Sequence, residues 1–87
     1  MSNNANVTVM LKITNCLATP RTLVIEPWTT EYDLPPGKTL DVVARGDPKY
    51  PLEVEVEEGR IVVTSFDSAG ATMSVLDRGA EAKPAGS

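Results

Sequence analysis

The stretch Leu52-Glu53-Val54-Glu55-Val56-Glu57-Glu58-Gly59-Arg60-Ile61-Val62-Val63, residues 52–63, decides the fold. Apolar and acidic residues alternate strictly over residues 52–57, which is typical of a β-strand with one apolar face. Glu58-Gly59 interrupts this alternation, and β-branched residues follow. We therefore predict a β-hairpin in which Glu58-Gly59 forms a two-residue type I′ loop.

This loop length sets the register of the hairpin. Opposed residues share a face of the sheet, and the predicted pairs are Glu57 with Arg60, Val56 with Ile61, Glu55 with Val62, and Val54 with Val63. The four residues of the two apolar pairs, Val54, Val56, Ile61 and Val63, are expected in the core. Val62 then points outward, and Phe66 does too unless a bulge near Ser65 turns it back into the core. An outward Val62 and Phe66 would form an apolar spot with an acidic rim.

Working outward, the same alternation recurs along the chain. It begins near Val7, Leu23, Leu40 and Met73, and the intervening segments are rich in glycine and proline. Short strands at this spacing indicate a sandwich or a barrel. Pro36-Gly37 fits the centre of a type II turn that begins at Pro35, with positive φ at the glycine. We predict one domain over residues 6–79, disordered ends at 1–5 and 80–87, and no helix longer than a turn.

Charge and composition exclude several classes of function. The net charge is −4, whereas binding to DNA, RNA or anionic lipid requires a basic face. No apolar run is long enough to cross a membrane. The single cysteine cannot form an intrachain disulfide, and the first residues do not resemble a signal peptide. We expect a protein of a reducing compartment, most simply a bacterial cytoplasm, although a leader or fusion before residue 1 stays open.

The side chains offer little for catalysis. The 87 residues include no histidine, so the commonest general base and metal ligand is missing. Cys16 could act as a nucleophile, but no base lies near it in sequence, which favours a passive thiol. We expect no catalytic residues, no metal and no cofactor.

Acidic residues cluster in the first strand of the hairpin, at Glu53, Glu55, Glu57 and Glu58. They could form a patch for a cation or a basic partner, or simply the solvated face of a half-exposed strand. Carboxylates on alternate residues of a strand are about 7 Å apart, too far to share one metal easily. Charged edge residues also prevent aggregation, so the solvated face is favoured.

The most unusual segment is Glu26-Pro27-Trp28, which is followed by Tyr32. Trp28 and Tyr32 are residue types that often anchor binding partners, because they combine a large area with a polar tip. Alternatively, Trp28 closes one end of a thin core. The candidate binding residues are therefore Trp28 and Tyr32, together with Val62 and Phe66 from the hairpin.

Residues 11–45 resemble a known family pattern. A strand ends in Thr14-Asn15, another reaches the tryptophan segment, and Leu34-Pro35-Pro36-Gly37 opens a third. This frame resembles small bacterial β-sandwich proteins and is similar to immunoglobulin-like and prealbumin-like sandwiches, in particular the von Hippel–Lindau β-domain. The resemblance implies an antiparallel β-sandwich of six or seven strands. It covers less than half of the chain and implies no site residues, since the histidine of that domain's peptide site is missing here.

Together these observations predict a non-catalytic protein-binding or interaction module. One alternative is a structural or assembly accessory protein, for example a phage-encoded one. A weaker alternative is an enzyme that uses Cys16 or paired carboxylates. The sequence predicts a protein partner but neither its identity nor the oligomeric state.

Overall fold

The computed structural model describes residues 6–67 and 69–86, and the regular structure in these ranges consists of β-strands alone. The expected disorder of residues 1–5 lies outside the described residues. The eight strands are β1 (Val7–Thr14), β2 (Arg21–Glu26), β3 (Thr30–Leu34), β4 (Thr39–Gly46), β5 (Glu53–Glu57), β6 (Arg60–Thr64), β7 (Thr72–Asp77) and β8 (Ala80–Glu81).

The strands form two four-stranded sheets. Sheet A has the order β1-β4-β7-β8, and sheet B has the order β3-β2-β6-β5. The all-β prediction is confirmed, with eight strands where six or seven were expected. Neighbouring strands are antiparallel except for β2 and β6, which are parallel. The expectation of a purely antiparallel sandwich was wrong at this pair, because β2 and β6 are not joined by a hairpin that would reverse the chain.

The core lies between the two sheets. Alternating residues of the two sheets supply its buried cluster, in which each side chain is at most 3% exposed: Leu40, Val42 and Val75 from sheet A, and Leu23, Ile25, Leu34 and Val63 from sheet B. Side chains that alternate with them point to the outer faces, as the period of a strand requires.

The predicted β5–β6 hairpin is confirmed in register. Glu57 pairs with Arg60 and Glu55 with Val62, and Arg60 Nε donates to Glu57 Oε1 at 2.6 Å. The loop is not type I′, however, because positive φ occurs at Gly59 (83°) and not at Glu58. A residue with a Cβ avoids positive φ, whereas glycine adopts it without strain. Positive φ therefore occurs only at the second of the two loop residues, Gly59, as in a type II turn.

The exposures of three valines in this hairpin differ from the prediction. Val54 and Val56 share a face with the core residue Val63 and with Ile61, but they are 49% and 80% exposed. The reason is that β5 is an end strand and sheet A does not cover it fully. Val62 is only 5% exposed, since its strand has a neighbour on each side, with Val24 and Glu55 directly beside it.

A second confirmed turn joins β3 to β4. Gly37 has a φ of 80°, and Lys38 N donates to Pro35 O at 3.0 Å. This is the type II turn that Pro36-Gly37 predicts. Asn15 holds the turn against the end of β1, because Asn15 N donates to Lys38 O and Gly37 N donates to Asn15 O.

The chain after β7 is more regular than predicted. Residues 80–87 were expected to be a disordered tail, but Ala80 and Glu81 form β8. Arg78 and Gly79 both have positive φ, which builds the two-residue type I′ turn that returns the chain beside β7. Ala85 N then donates to Glu31 O at 2.7 Å and ties the segment to β3.

Candidate functional site

The candidate site is a cavity at one end of the sandwich, which we call the Trp28 pocket. Its volume is about 440 Å³, and its lining residues are Pro27, Trp28, Pro51, Glu53, Thr64, Ser65, Phe66, Asp67, Gly70 and Ala71. They come from the β2–β3 loop, the start of β5, and the connection from β6 to β7. The pocket is therefore assembled from segments far apart in sequence.

The β2–β3 loop presents Trp28 at the surface. Strand β2 ends at Glu26, and the Glu26–Pro27 peptide bond is cis. Thr29 Oγ1 donates to Glu26 Oε1 at 3.1 Å, and Ser65 N donates to Glu26 O at 3.0 Å. The loop is thus tied to itself and to the end of β6. Trp28 is 50% exposed, so about half of this residue is accessible at the surface.

Phe66 forms the inner wall of the same pocket. It is only 6% exposed. Of the two alternatives that the sequence left open for Phe66, the structure therefore has the inward orientation, and the outward apolar spot of Val62 and Phe66 does not form. Gly46, the last residue of β4, makes room for the ring: a Cβ at this position would lie 2.6 Å from Phe66 Cβ. A contact that short cannot be accommodated without movement, so Gly46 determines where Phe66 packs.

The rim of the pocket is acidic. Glu53 and Asp67 both line it, and no lysine or arginine does so among the lining residues given above. Both carboxylate residues are exposed. An exposed indole beside two carboxylates forms a surface that is complementary to a cation, because the face of an aromatic ring also attracts positive charge.

The remaining predicted site residues lie elsewhere. Tyr32 lines a separate cleft with Lys38, Asp77 and Glu81, and it packs partly against the core. Burial, and secondly the Glu81 carboxylate, raise the pKa of Tyr32 above its ordinary value of 10.0. Val62 is buried on the outer face of sheet B, which removes it from the surface where a contact was expected. The structure thus brings Trp28 and Phe66 together and separates them from the other two.

The thiol of Cys16 is exposed beside a smaller cavity of about 330 Å³, which it lines together with Leu17, Val56 and Ile61. The adjacent Asn15 side chain is fully engaged: Nδ2 donates to Thr19 O and Leu34 O, and Oδ1 accepts from Leu17 N.

Within residues 6–67 and 69–86, no group of three or more His, Cys, Asp or Glu side chains is placed to hold a metal ion. In the same ranges no helix has the length and hydropathy needed to cross a membrane.

Comparisons of this chain with family models, with curated proteins and with solved structures find no match.

Sequence reasoning missed several parts of the Trp28 pocket. Glu53 was assigned to an acidic cluster for which a solvated strand face was favoured over a patch for a cation or a basic partner, and Asp67 was not among the candidate binding residues. Pro51 was not considered. Gly46 carried one usable signal, since it sits at the end of an alternating apolar segment, where glycine indicates close approach of another group. The identity of that group, Phe66, depends on tertiary structure.

Proposed function

We propose that this protein is a non-catalytic protein-interaction module that binds a basic segment of a partner protein in the Trp28 pocket. The observation that carries the proposal is a half-exposed tryptophan over a preformed cavity whose rim holds Glu53 and Asp67. Tryptophan and arginine are the residue types that most often dominate binding energy at interfaces. An arginine side chain on the Trp28 indole would place its charge beside both carboxylates.

The surroundings of the pocket support binding rather than chemistry. Phe66 is packed against Gly46, and the β2–β3 loop is tied to β6 by the bond from Ser65 N to Glu26 O. A rigid aromatic anchor loses little conformational entropy on binding. The chain contains no histidine, and among the residues that line the Trp28 pocket there is no cysteine or lysine.

The proposed cellular setting is a reducing compartment such as the bacterial cytoplasm, with neither nucleic acid nor membrane as the partner. The single exposed cysteine and the net charge of −4 support it. We further infer that the sandwich is of the immunoglobulin-like or prealbumin-like class and related to small bacterial β-sandwich proteins. Two packed four-stranded sheets and the confirmed turn at Pro36-Gly37 support this assignment.

Intrinsic fluorescence tests the proposal directly, because Trp28 is the single tryptophan. Hexa-arginine added at about 0.15 M salt should change the emission of Trp28 and saturate, whereas hexa-glutamate should not. The variants Glu53→Gln and Asp67→Asn should each weaken hexa-arginine binding about two- to fivefold, in the range of a solvent-screened charge contact. Glu58→Gln, on the β5–β6 loop, is the matched control and should bind nearly as wild type.

Partner capture provides the second test. Tagged wild-type protein and a Trp28→Phe variant should retain a basic partner that Trp28→Ala loses. Because half of the indole is already exposed, Trp28→Ala should unfold within a few degrees of wild type. Unchanged hexa-arginine binding in Glu53→Gln and Asp67→Asn would refute the pocket as the cation site.

A second candidate is a structural or assembly accessory protein. The observation that favours it is the outer edge of β1, an eight-residue end strand whose single charged residue is Lys12. A fixed stoichiometry of self-association in solution would support this candidate.

A further inference from the structure

The outer edge of β1 differs from the other sheet edges. Strand β1 is an end strand of sheet A and spans eight residues, Val7–Thr14. It contains no carboxylate and no proline, and its single charged residue is Lys12. Two of its side chains, Val7 and Met10, count among the exposed large hydrophobics. A long apolar edge of this kind is a template for pairing with another strand.

The other three edges are protected. Strand β5 presents three glutamates in five residues, and β8 has a length of two residues. Strand β3 carries Glu31 and Asp33, and Ala85 N already donates to Glu31 O. Charges, short length and covering segments are the usual means of preventing edge-to-edge pairing. Within the described ranges, β1 has eight residues, no covering segment and a single charged side chain, that of Lys12.

The charge of Lys12 does not protect the edge. Lys12 Nζ lies 3.1 Å from Asp41 Oδ1 on the neighbouring strand β4. The ammonium group therefore lies toward the interior strand of the sheet, and its charge is balanced there. The outward side chains beside it are also engaged across β1 and β4, since Thr14 Oγ1 and Thr39 Oγ1 are 2.7 Å apart.

The backbone groups that face the open edge follow from the ladder. Asn15 N donates to Lys38 O, and this pair continues the β1–β4 register. Hydrogen-bonded pairs alternate with non-hydrogen-bonded ones in an antiparallel ladder. The odd-numbered residues of β1 therefore bond to β4, and the even-numbered residues 8, 10, 12 and 14 direct their N–H and C=O groups away from the sheet.

We propose that β1 pairs antiparallel with β1 of a second copy of this chain, with Met10 on the two-fold axis. In this register Thr8 of one copy exchanges hydrogen bonds with Lys12 of the other, and Met10 with Met10. Val9 lies opposite Leu11, and Val7 opposite Ile13, so the inner faces of both copies continue one apolar surface. No two like charges are opposed. The two sheets A become one eight-stranded sheet.

Apolar side chains on the same side of the molecule favour a second copy as the occupant. The cavity between the end of β1 and the β5–β6 hairpin shows that both border one opening. Leu17, Val54 and Val56 are 54%, 49% and 80% exposed. A symmetric partner that extends sheet A past β1 brings further apolar residues to this opening. Closed two-fold pairing is also the commonest form of self-association.

Sedimentation equilibrium of the full chain, from micromolar to near-millimolar concentration, tests the proposal. Wild type should fit a monomer–dimer equilibrium. Met10→Pro removes an N–H that has no bond within the sheet, and it deletes both central intermolecular bonds, so it should weaken dimerisation at least about tenfold. Met10→Thr keeps the N–H and should dimerise within about threefold of wild type. Circular dichroism checks that each variant is folded.

Cross-linking tests the register independently of fold stability. In a Cys16→Ser background, Met10→Cys places two thiols in a hydrogen-bonded pair with Cα atoms about 5.5 Å apart, within reach of a disulfide. Lys12→Cys in the same background places them about 13 Å apart and is the control. Oxidised dimer should form with Met10→Cys alone.

A monomer at all concentrations overturns the proposal. Open-ended polymers, or equal cross-linking of both cysteine variants, would also overturn it, because they indicate a different pairing. Trp28→Ala should leave the dimer unchanged. Loss of hexa-arginine binding and loss of dimerisation are therefore separate results, and either proposal can fail alone.

Discussion

Replacement of Asn15 by alanine should strongly destabilise the domain. The residue is 3% exposed, and its side chain makes three hydrogen bonds of 2.9 Å, to Thr19 O, Leu34 O and Leu17 N. Alanine removes all three, at about 1 kcal/mol each. The bond to Leu34 O is buried, and leaving that carbonyl without a partner adds about 1–2 kcal/mol.

The expected loss is therefore about 4–5 kcal/mol. A domain of this length has a free energy of unfolding of about 4–13 kcal/mol, so the variant should lose a third or more of its stability. Urea titration followed by Trp28 fluorescence measures the change, and the midpoint should fall by roughly 3 M if m is about 1.5 kcal/mol/M.

Two further variants sharpen the test. Asn6→Ala removes the same side chain from an exposed position and should change the free energy of unfolding by less than about 0.5 kcal/mol. Asn15→Asp keeps the acceptor for Leu17 N but loses both amide donors and sets a carboxylate against two carbonyl oxygens. It should destabilise at neutral pH at least as much as alanine. A loss below about 1 kcal/mol for Asn15→Ala, with m unchanged, would refute the inference that the three hydrogen bonds of the Asn15 side chain stabilise the domain.

Three other predictions concern single features. Gly46→Ala should destabilise by about 0.5–2 kcal/mol in urea titration, because the overlap of its Cβ with Phe66 costs more than the gain in strand propensity. Phe66→Ala removes Cδ2 and Cγ, which would lie 2.7 and 2.8 Å from the added Cβ, so in that background the penalty should shrink, and additivity would contradict the contact. Ultraviolet titration should place the pKa of Tyr32 above 10.0, and Glu81→Gln should lower that pKa; an unchanged pKa in Glu81→Gln would count against the Glu81 contribution. Because the pKa of Tyr32 is raised in the folded state, the stabilisation from its neutral form is present below about pH 10 and is lost as the pH rises through the folded pKa. Gly37→Ala should cost about 1 kcal/mol through its φ of 80° alone, since nothing lies within 4 Å of the added Cβ; a neutral effect would show that the turn relaxes.

Periodicity and turn residues in the sequence predicted six of the eight strands that the described residues form, and the turn at Gly37. Alternation in β5 and the glycine that follows it predicted the β5–β6 register, because a two-residue loop leaves one pairing that keeps both apolar faces together. The turn at Gly37 was predictable for the same reason, since few residues other than glycine accept its φ. β3 and β8 were missed: Thr30–Leu34 alternates only weakly, and β8 has two residues.

Tertiary structure alone decided which apolar residues are covered. Val56 and Val63 lie on the same face of sheet B, yet Val56 is 80% exposed and Val63 is fully buried. The difference arises because burial depends on whether residues of sheet A cover the strand. The Trp28 pocket depends on the same kind of contact, since Phe66 turns inward only where Gly46 leaves room. Periodicity reports the face of the sheet on which a side chain lies. Whether that face becomes core, pocket or open edge depends on the residues packed against it, and these are distant in the chain.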